Sequence, residues 1–252
     1  MAQACQSASC RPARVTSVVL GSVARMALAR WKDLCVDATE PADPSRVAQF
    51  WAAVLDLEAQ ERADGVTRLA GDPEERTVWD NPVPEPKTVK NRVHLDVRVD
   101  LDLVLGLGAT VQRPPDDEIS WHLCTDPAGN EFCVFTPAEG RGAFYELSVD
   151  CADPGLLADW WADVLGGTAG QDPKHPWRWV ESVPGAPFEY LVLAPVPEAK
   201  SVKNRWHWDV VCDDLDALLA KGATLLRSPD DDIDWHVVAD PEGNEFCVFT
   251  SS

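Results

Sequence analysis

Two stretches of this chain carry the same set of reactive side chains. In NRVHLDV (91–97) and NRWHWDV (204–210) a histidine stands two positions before an aspartate, and in NEFCVF (130–135 and 244–249) a glutamate stands two before a cysteine. Side chains two apart in an extended run share one face. His94 and Asp96 therefore oppose Val93, Leu95 and Val97, and Glu131, Cys133 and Phe135 oppose Phe132 and Val134. Upstream, Asp33, Cys35 and Asp37 oppose Leu34 and Val36, and the later copy has Glu146, Ser148 and Asp150 with His207, Asp209, Glu245 and Cys247. Carboxylate, imidazole and thiol on one face are the donors that hold a zinc ion with a position left for water. Without a metal they line a polar pocket for a small molecule.

The elements that must position these groups repeat. DPAGNEFCVFT (126–136) recurs as DPEGNEFCVFT (240–250), and PDDEISWH (115–122) as PDDDIDWH (229–236), both 114 residues on, as Asp126 to Asp240. KTVKNRVHLDV (87–97) and DLCVDA (33–38) recur 113 residues on, as Asp33 to Glu146. A period this long means duplicated domains. The units run over 27–137 and 143–252, joined by a Pro/Gly linker at 138–142 and preceded by a disordered leader at 1–26. The alternatives for that leader are a signal peptide and a true start at Met26.

Within each unit a period-2 strand leads to an amphipathic helix, PSRVAQFWAAVL (44–55) or PGLLADWWADVL (154–165). Strands follow, then a second strand, helix and strands. The expected fold class is α+β: tandem domains, each of two βαβββ modules forming a curved mixed sheet around a concave cleft. Each unit of about 110 residues is expected to close its own eight-stranded sheet. Trp51, Trp160 and Trp161 read as helix core residues; Trp121, Trp206, Trp208 and Trp235 read as core by alternation.

At 252 residues with 45% hydrophobic and 25% charged residues, the chain is ordinary for two globular domains. A formal net charge of −20 argues against nucleic acid and anionic membranes as partners. No apolar run reaches the ~20 residues of a bilayer span. The eight cysteines lack the spacing of a disulfide scaffold or CxxC zinc site, so the expected compartment is the cytoplasm, with reduced thiols acting as small hydrophobes. The Lys-rich turns before each His strand, with Arg92 and Arg205, either receive an anion at the cleft mouth or pair with the acidic PDDE and PDDD segments.

The strand leading to an Asp-Pro turn and an FW or WW helix, the strand opening on His, and the DPxGN turn into a last strand together resemble the vicinal-oxygen-chelate superfamily. This group includes glyoxalases and bleomycin-resistance proteins, and the KNRxHxDV and DPEGNEFCVF wording is similar to its actinobacterial glyoxalase-like branch. The resemblance spans 31–252 in two copies. It implies small-molecule binding in each cleft, with lyase, isomerase or dioxygenase chemistry dependent on a divalent metal. The alternative it offers is non-catalytic drug or metabolite capture. A homodimer is compatible with it.

Carried over by position, the metal ligands fall on Asp33, His94 and Cys133 in the first unit and on Glu146, His207 and Cys247 in the second. The last position is normally Glu, so Cys there departs from the pattern in both copies. A thiolate favours zinc or nickel over magnesium, and the lost carboxylate tips the expectation toward a metal-free pocket. Glu131 and Glu245 could substitute for the missing ligand. Asp96 and Asp209 could orient a neighbouring side chain, and His122 and His236 are further cleft candidates. The second unit is expected to be the better site, Glu146 reaching further than Asp33 toward His207.

Overall fold

The computed structural model describes residues 27–39 and 44–251; the leader expected over 1–26 lies outside them. Four modules of one design follow each other. The first comprises β1 (Arg30–Thr39), α1 (Pro44–Leu55), β2 (Glu58–Glu61), β3 (Thr67–Ala70) and β4 (Val78–Val83). The second comprises β5 (Val93–Arg98), α2 (Leu101–Gly106), β6 (Thr110–Arg113), β7 (His122–Thr125) and β8 (Glu131–Phe135). The third comprises β9 (Phe144–Cys151), α3 (Pro154–Leu165), β10 (Thr168–Gln171), β11 (Arg178–Glu181) and β12 (Tyr190–Pro195). The fourth comprises β13 (Trp206–Val211), α4 (Leu215–Ala220), β14 (Thr224–Arg227), β15 (His236–Ala239) and β16 (Glu245–Phe249). Both long helices cover the stretches their apolar periodicity marks.

Two curved eight-stranded mixed sheets result, each from two βαβββ modules, as the fold class requires. Their pairing corrects the expectation that a repeat closes its own sheet. Sheet A runs β14-β15-β16-β13-β1-β4-β3-β2 and sheet B runs β10-β11-β12-β9-β5-β8-β7-β6. The first module therefore joins the fourth through antiparallel β1 and β13, Leu34 opposite Trp208. The second joins the third through β5 and β9, Leu95 opposite Leu147. Every sheet draws on both repeats. The loops before β5 and β13 secure these joints: Arg92 donates to the Asp150 carbonyl at 2.8 Å and Lys90 pairs with the Asp150 carboxylate, while Lys203 and Arg205 take the same roles at Asp37.

The two sheets turn their apolar faces toward each other, with the helices between them, and one hydrophobic core fills that layer. Trp51 and Trp161 are fully buried at its centre, Trp51 packed edge-on against both Phe132 of sheet B and Trp206 of sheet A. The indole N–H of Trp51 donates to Asp126 at 3.1 Å, and that of Trp161 to Asp240 at 3.3 Å. This gives the DPxGN motif a structural meaning. Asp126 also accepts from the backbone N–H groups of Ala128 and Asn130, Gly129 supplies the positive φ of 83°, and Asn130 accepts from Asn91 at 3.0 Å. Trp51→Phe removes a buried donor and opens a small cavity, and is expected to cost about 2–4 kcal/mol. Urea unfolding of the two proteins measures it, and unchanged stability would contradict this account of the core.

Candidate functional site

The concave faces, turned away from the helices, hold the sequence-predicted groups, but in a different partnership. Asp33 lies in sheet A beside His207, Asp209 and Cys247, and Glu146 lies in sheet B beside His94, Asp96 and Cys133. Each trio assigned within a repeat is thus split between sheets, and Glu146 cannot meet His207. The sheets have equivalent positions at Lys32 and Tyr145, Asp33 and Glu146, Cys35 and Ser148, His207 and His94, Asp209 and Asp96, Cys247 and Cys133.

In sheet B His94, Ser148 and the Cys133 backbone all bond to Asp96. His94 Nδ1 lies 2.7 Å from Asp96 Oδ1, which also accepts the Cys133 backbone N–H at 2.7 Å, and Ser148 Oγ donates to Asp96 Oδ2 at 2.8 Å. Asp96 orients His94 as expected of an aspartate two positions on. A β-bulge between Phe144 and Glu146 turns Tyr145 onto the same face, where it packs with Trp121, Phe135, Cys133 and Ile119 into a separate buried cluster. Trp121 stacks on Phe135 at 5.3 Å and Arg98 lies 3.5 Å over the Tyr145 ring. Aromatic side chains fill this cleft. Trp121, expected in the main core, belongs here instead, and Trp235, expected there too, is half-buried and stacked on Phe249 of sheet A at 5.4 Å; Trp206 and Trp208 are in the main core as expected.

Sheet A is different at the same places. The matching bulge after Trp31 turns Lys32 onto the concave face, its amine 2.6 Å from Asp33, 3.9 Å from Asp209 and 4.3 Å over the Phe249 ring. Trp79 Nε1 donates to Asp33 Oδ2 at 2.9 Å. His207 Nδ1 is buried without a partner, and Asp33 and Asp209 face each other as a buried carboxyl pair joined by a hydrogen bond. Burial first, and then the negative charge of Asp33, holds the Asp209 carboxyl well above the usual carboxylate range. Burial also pushes the Cys35 thiol well up and pulls the His207 imidazole down, which keeps the ring neutral with a free lone pair. Away from these donors, a shallow surface depression is lined by Lys200, Lys203, Glu242 and Glu245.

Other candidates take structural duties. Glu131 is tied to Lys87 and the Asn91 N–H, and Glu245 to Lys200 and the Asn204 N–H, so both oxygens of each carboxylate already have a partner. Arg92 and Arg205 reach backbone carbonyls, including those of Glu198 and Glu85, instead of facing the cleft. The Lys-rich turns are neutralised by strand carboxylates, whereas the PDDE and PDDD acids pair with Arg113 and Arg227. His122 and His236 alternate with the core residues Cys124 and Val238 and so sit on the helix-facing side, which removes them from the cleft. None of the six described cysteines forms a disulfide and all are buried, and no described helix is long and apolar enough to cross a membrane.

Lys32 and Tyr145 escaped sequence reasoning because a bulge breaks the alternation that would have placed them. Cys35 was on the correct face, and its neighbour Asp33 drew the ligand assignment.

The family model described as "Glyoxalase-like domain" matches residues 33–135 and again 146–249. Among solved structures the chain is similar to glyoxalase I from Zea mays, at 13% identity with a TM-score of 0.60, covering 87% of this chain and 92% of that one. A glyoxalase I mutant of the same species gives 0.63 at 13% identity, covering 88% and 94%. A Bacillus subtilis protein named as a proposed dioxygenase gives 0.58 at 13% identity, covering 89% and 86%. At these identities the likeness is one of fold. No curated protein sequence matches the chain.

Proposed function

Because the chain belongs to the glyoxalase-like domain family over both of its repeats, we propose that it binds a small oxygen-bearing molecule on the concave face of sheet A, together with a divalent cation. The observation that carries this reading is the unpartnered buried His207 Nδ1 beside the buried Asp33–Asp209 carboxyl pair. A buried polar atom without a partner costs roughly 1–3 kcal/mol, and one that stands beside two crowded carboxyl groups suits a cation. Sheet B supports no such role: its Asp96 is already saturated and its face is filled.

A cation held from His207 and the neighbouring acids would polarise the oxygens of a bound ligand. This chain's own residues do the rest. The neutral His207 ring supplies a lone pair, Lys32 balances the acids, and Trp79 and Phe249 flank the face with apolar surface. A second reading, capture without turnover, is favoured by one feature: cysteine stands at 133 and 247 where the resemblance places a carboxylate.

Titration of the full chain with Zn²⁺ or Ni²⁺ separates the sheets. His207→Ala is expected to weaken binding by more than about tenfold. His94→Ala is expected to leave affinity unchanged while lowering stability by about 2–4 kcal/mol, because it breaks a buried hydrogen-bonded network. Equal loss of affinity in the two variants would overturn the assignment to sheet A.

A further inference from the structure

We infer that sheet A carries a site for a thiophilic divalent cation in which Cys35, a residue the family resemblance does not assign, is a donor beside His207 and Asp209. The inference rests on the sheet A reading above and deepens it. One ligand atom from each of these three residues lies within 4.8 Å of the other two, and all three residues are buried. A tetrahedral zinc ion at ~2.0–2.3 Å from its donors sets them roughly 3.5 Å apart, so small side-chain rotations close the set.

The trio implied by the resemblance converges less well. Asp33 already spends Oδ2 on Lys32 and Trp79. Cys247 lies opposite Asp209 on the strand beyond it and rests against that carboxyl group. Cys35, by contrast, stands directly opposite His207 in the β1–β13 ladder.

The sister sheet supplies an internal comparison. His94, Asp96 and Cys133 are as close together as the sheet A set. There, however, Ser148 occupies the place of Cys35, and its hydroxyl donates to Asp96. A thiol is a weak donor and does not replace that bond, and in sheet A His207 Nδ1 is left without a partner. Two equally close donor sets thus differ in that hydrogen bonds close the one holding Ser148, whereas the one holding Cys35 keeps an unpartnered ring nitrogen. Thiolate donors select zinc, cobalt or cadmium over magnesium, calcium and manganese. Three protein donors leave one tetrahedral position, where a ligand oxygen or water binds. As the ion enters, the Cys35 thiol proton leaves to solvent, because the thiolate is the ligand.

Co²⁺ is the probe, added to the full chain with Cys5 and Cys10 replaced by serine, since these extra thiols lie outside the described residues. A near-ultraviolet sulfur-to-cobalt charge-transfer band is expected. Cys35→Ser should abolish it and weaken Co²⁺ binding by more than about 100-fold, beyond the 10–100-fold that loss of an outer-shell partner costs. Serine is already accommodated at the equivalent position 148, and far-ultraviolet circular dichroism checks the fold. Cys133→Ser should change neither the band nor the affinity. Tight Co²⁺ binding without a thiolate band, or a band that survives Cys35→Ser and is lost in Cys247→Ser, overturns the role of Cys35 and leaves the sheet A reading standing. Absence of any Co²⁺ binding, or equal loss in the Cys35 and Cys133 variants, overturns the site.

Discussion

Replacing Asp80 by leucine is expected to stabilise the protein at pH 8 by about 2–4 kcal/mol. Asp80 lies on β4 with 1% of its surface exposed, and neither of its carboxylate oxygens has a partner. It stands opposite Val36 and Thr67 and shares its face with Val78, so it points into the helix layer. Burial, followed by the charges of Asp126 and Asp37, pushes its carboxyl up to about 7 from the ordinary 3.8. In the unfolded chain the group ionises near 3.8, so its contribution favours the folded state below that pH and is lost as pH rises through about 7. The gap corresponds to about 4 kcal/mol at about 1.36 kcal/mol per pH unit. Leucine at this position has a precedent, since Leu193 occupies the equivalent place in sheet B. Urea unfolding of Asp80→Leu and the parent at pH 4.5 and pH 8 should give curves that diverge as pH rises. Asp209 titrates in both proteins and cancels from the comparison. A stability difference that is the same at both pH values would show that Asp80 is not the group responsible.

Expressed alone, the second repeat (143–252) is expected not to fold as a monomer. It contains β9–β12, whose partner strand β5 is in the first repeat, and β13–β16, whose partner strand β1 is there too. Its Trp161 would keep Asp240, but β9 and β13 would each present a long unpaired edge, and such edges recruit other strands. Two copies can satisfy both edges by exchange, each sheet then combining a third-type module from one copy with a fourth-type module from the other. The expected result is a dimer by sedimentation, with an unfolding midpoint that rises with protein concentration. Mixing it with the first repeat should restore 1:1 pairing. A stable, concentration-independent monomer of 143–252 would contradict the strand pairing described here.

Much of this was legible in the sequence. Alternation placed Leu95 inward and His94 and Asp96 outward, and helical periodicity bounded both long helices. What alternation cannot state is which copy supplies a partner strand. β8 and β16 both read EFCVF, so the chain's own wording is degenerate between cis and crossed pairing. Loop geometry and the helix layer decide it. Trp121 was misplaced because it precedes β7 and follows the concave side, and His122 was misplaced with it. Asp80 was invisible because a short VWDNPV strand gives no sign that its third residue faces the interior. The unequal clefts rest on residues that look minor in a sequence, Lys32 against Tyr145 and Cys35 against Ser148. Only their placement by the bulges and the ladder shows that the histidine of one face is bonded and that of the other is not.

The crossed pairing also sets an order of assembly during synthesis. Sheet B needs only the two middle modules, which are neighbours in the chain, and it can close once β12 has left the ribosome. Sheet A joins Trp31 to Val210 and takes its β16 from the end of the described chain. Its loop is roughly threefold longer than the one joining Val93 to Val149, which costs about 1 kcal/mol more in closure entropy. Until the last module emerges, β1 waits with one long edge unpaired, the condition in which nascent chains misassociate or need a holdase. Of the four modules, the one bearing Asp33, Lys32 and Cys35 is the earliest made and the last completed, so the face proposed to bind ligand comes into existence only after β16 has emerged.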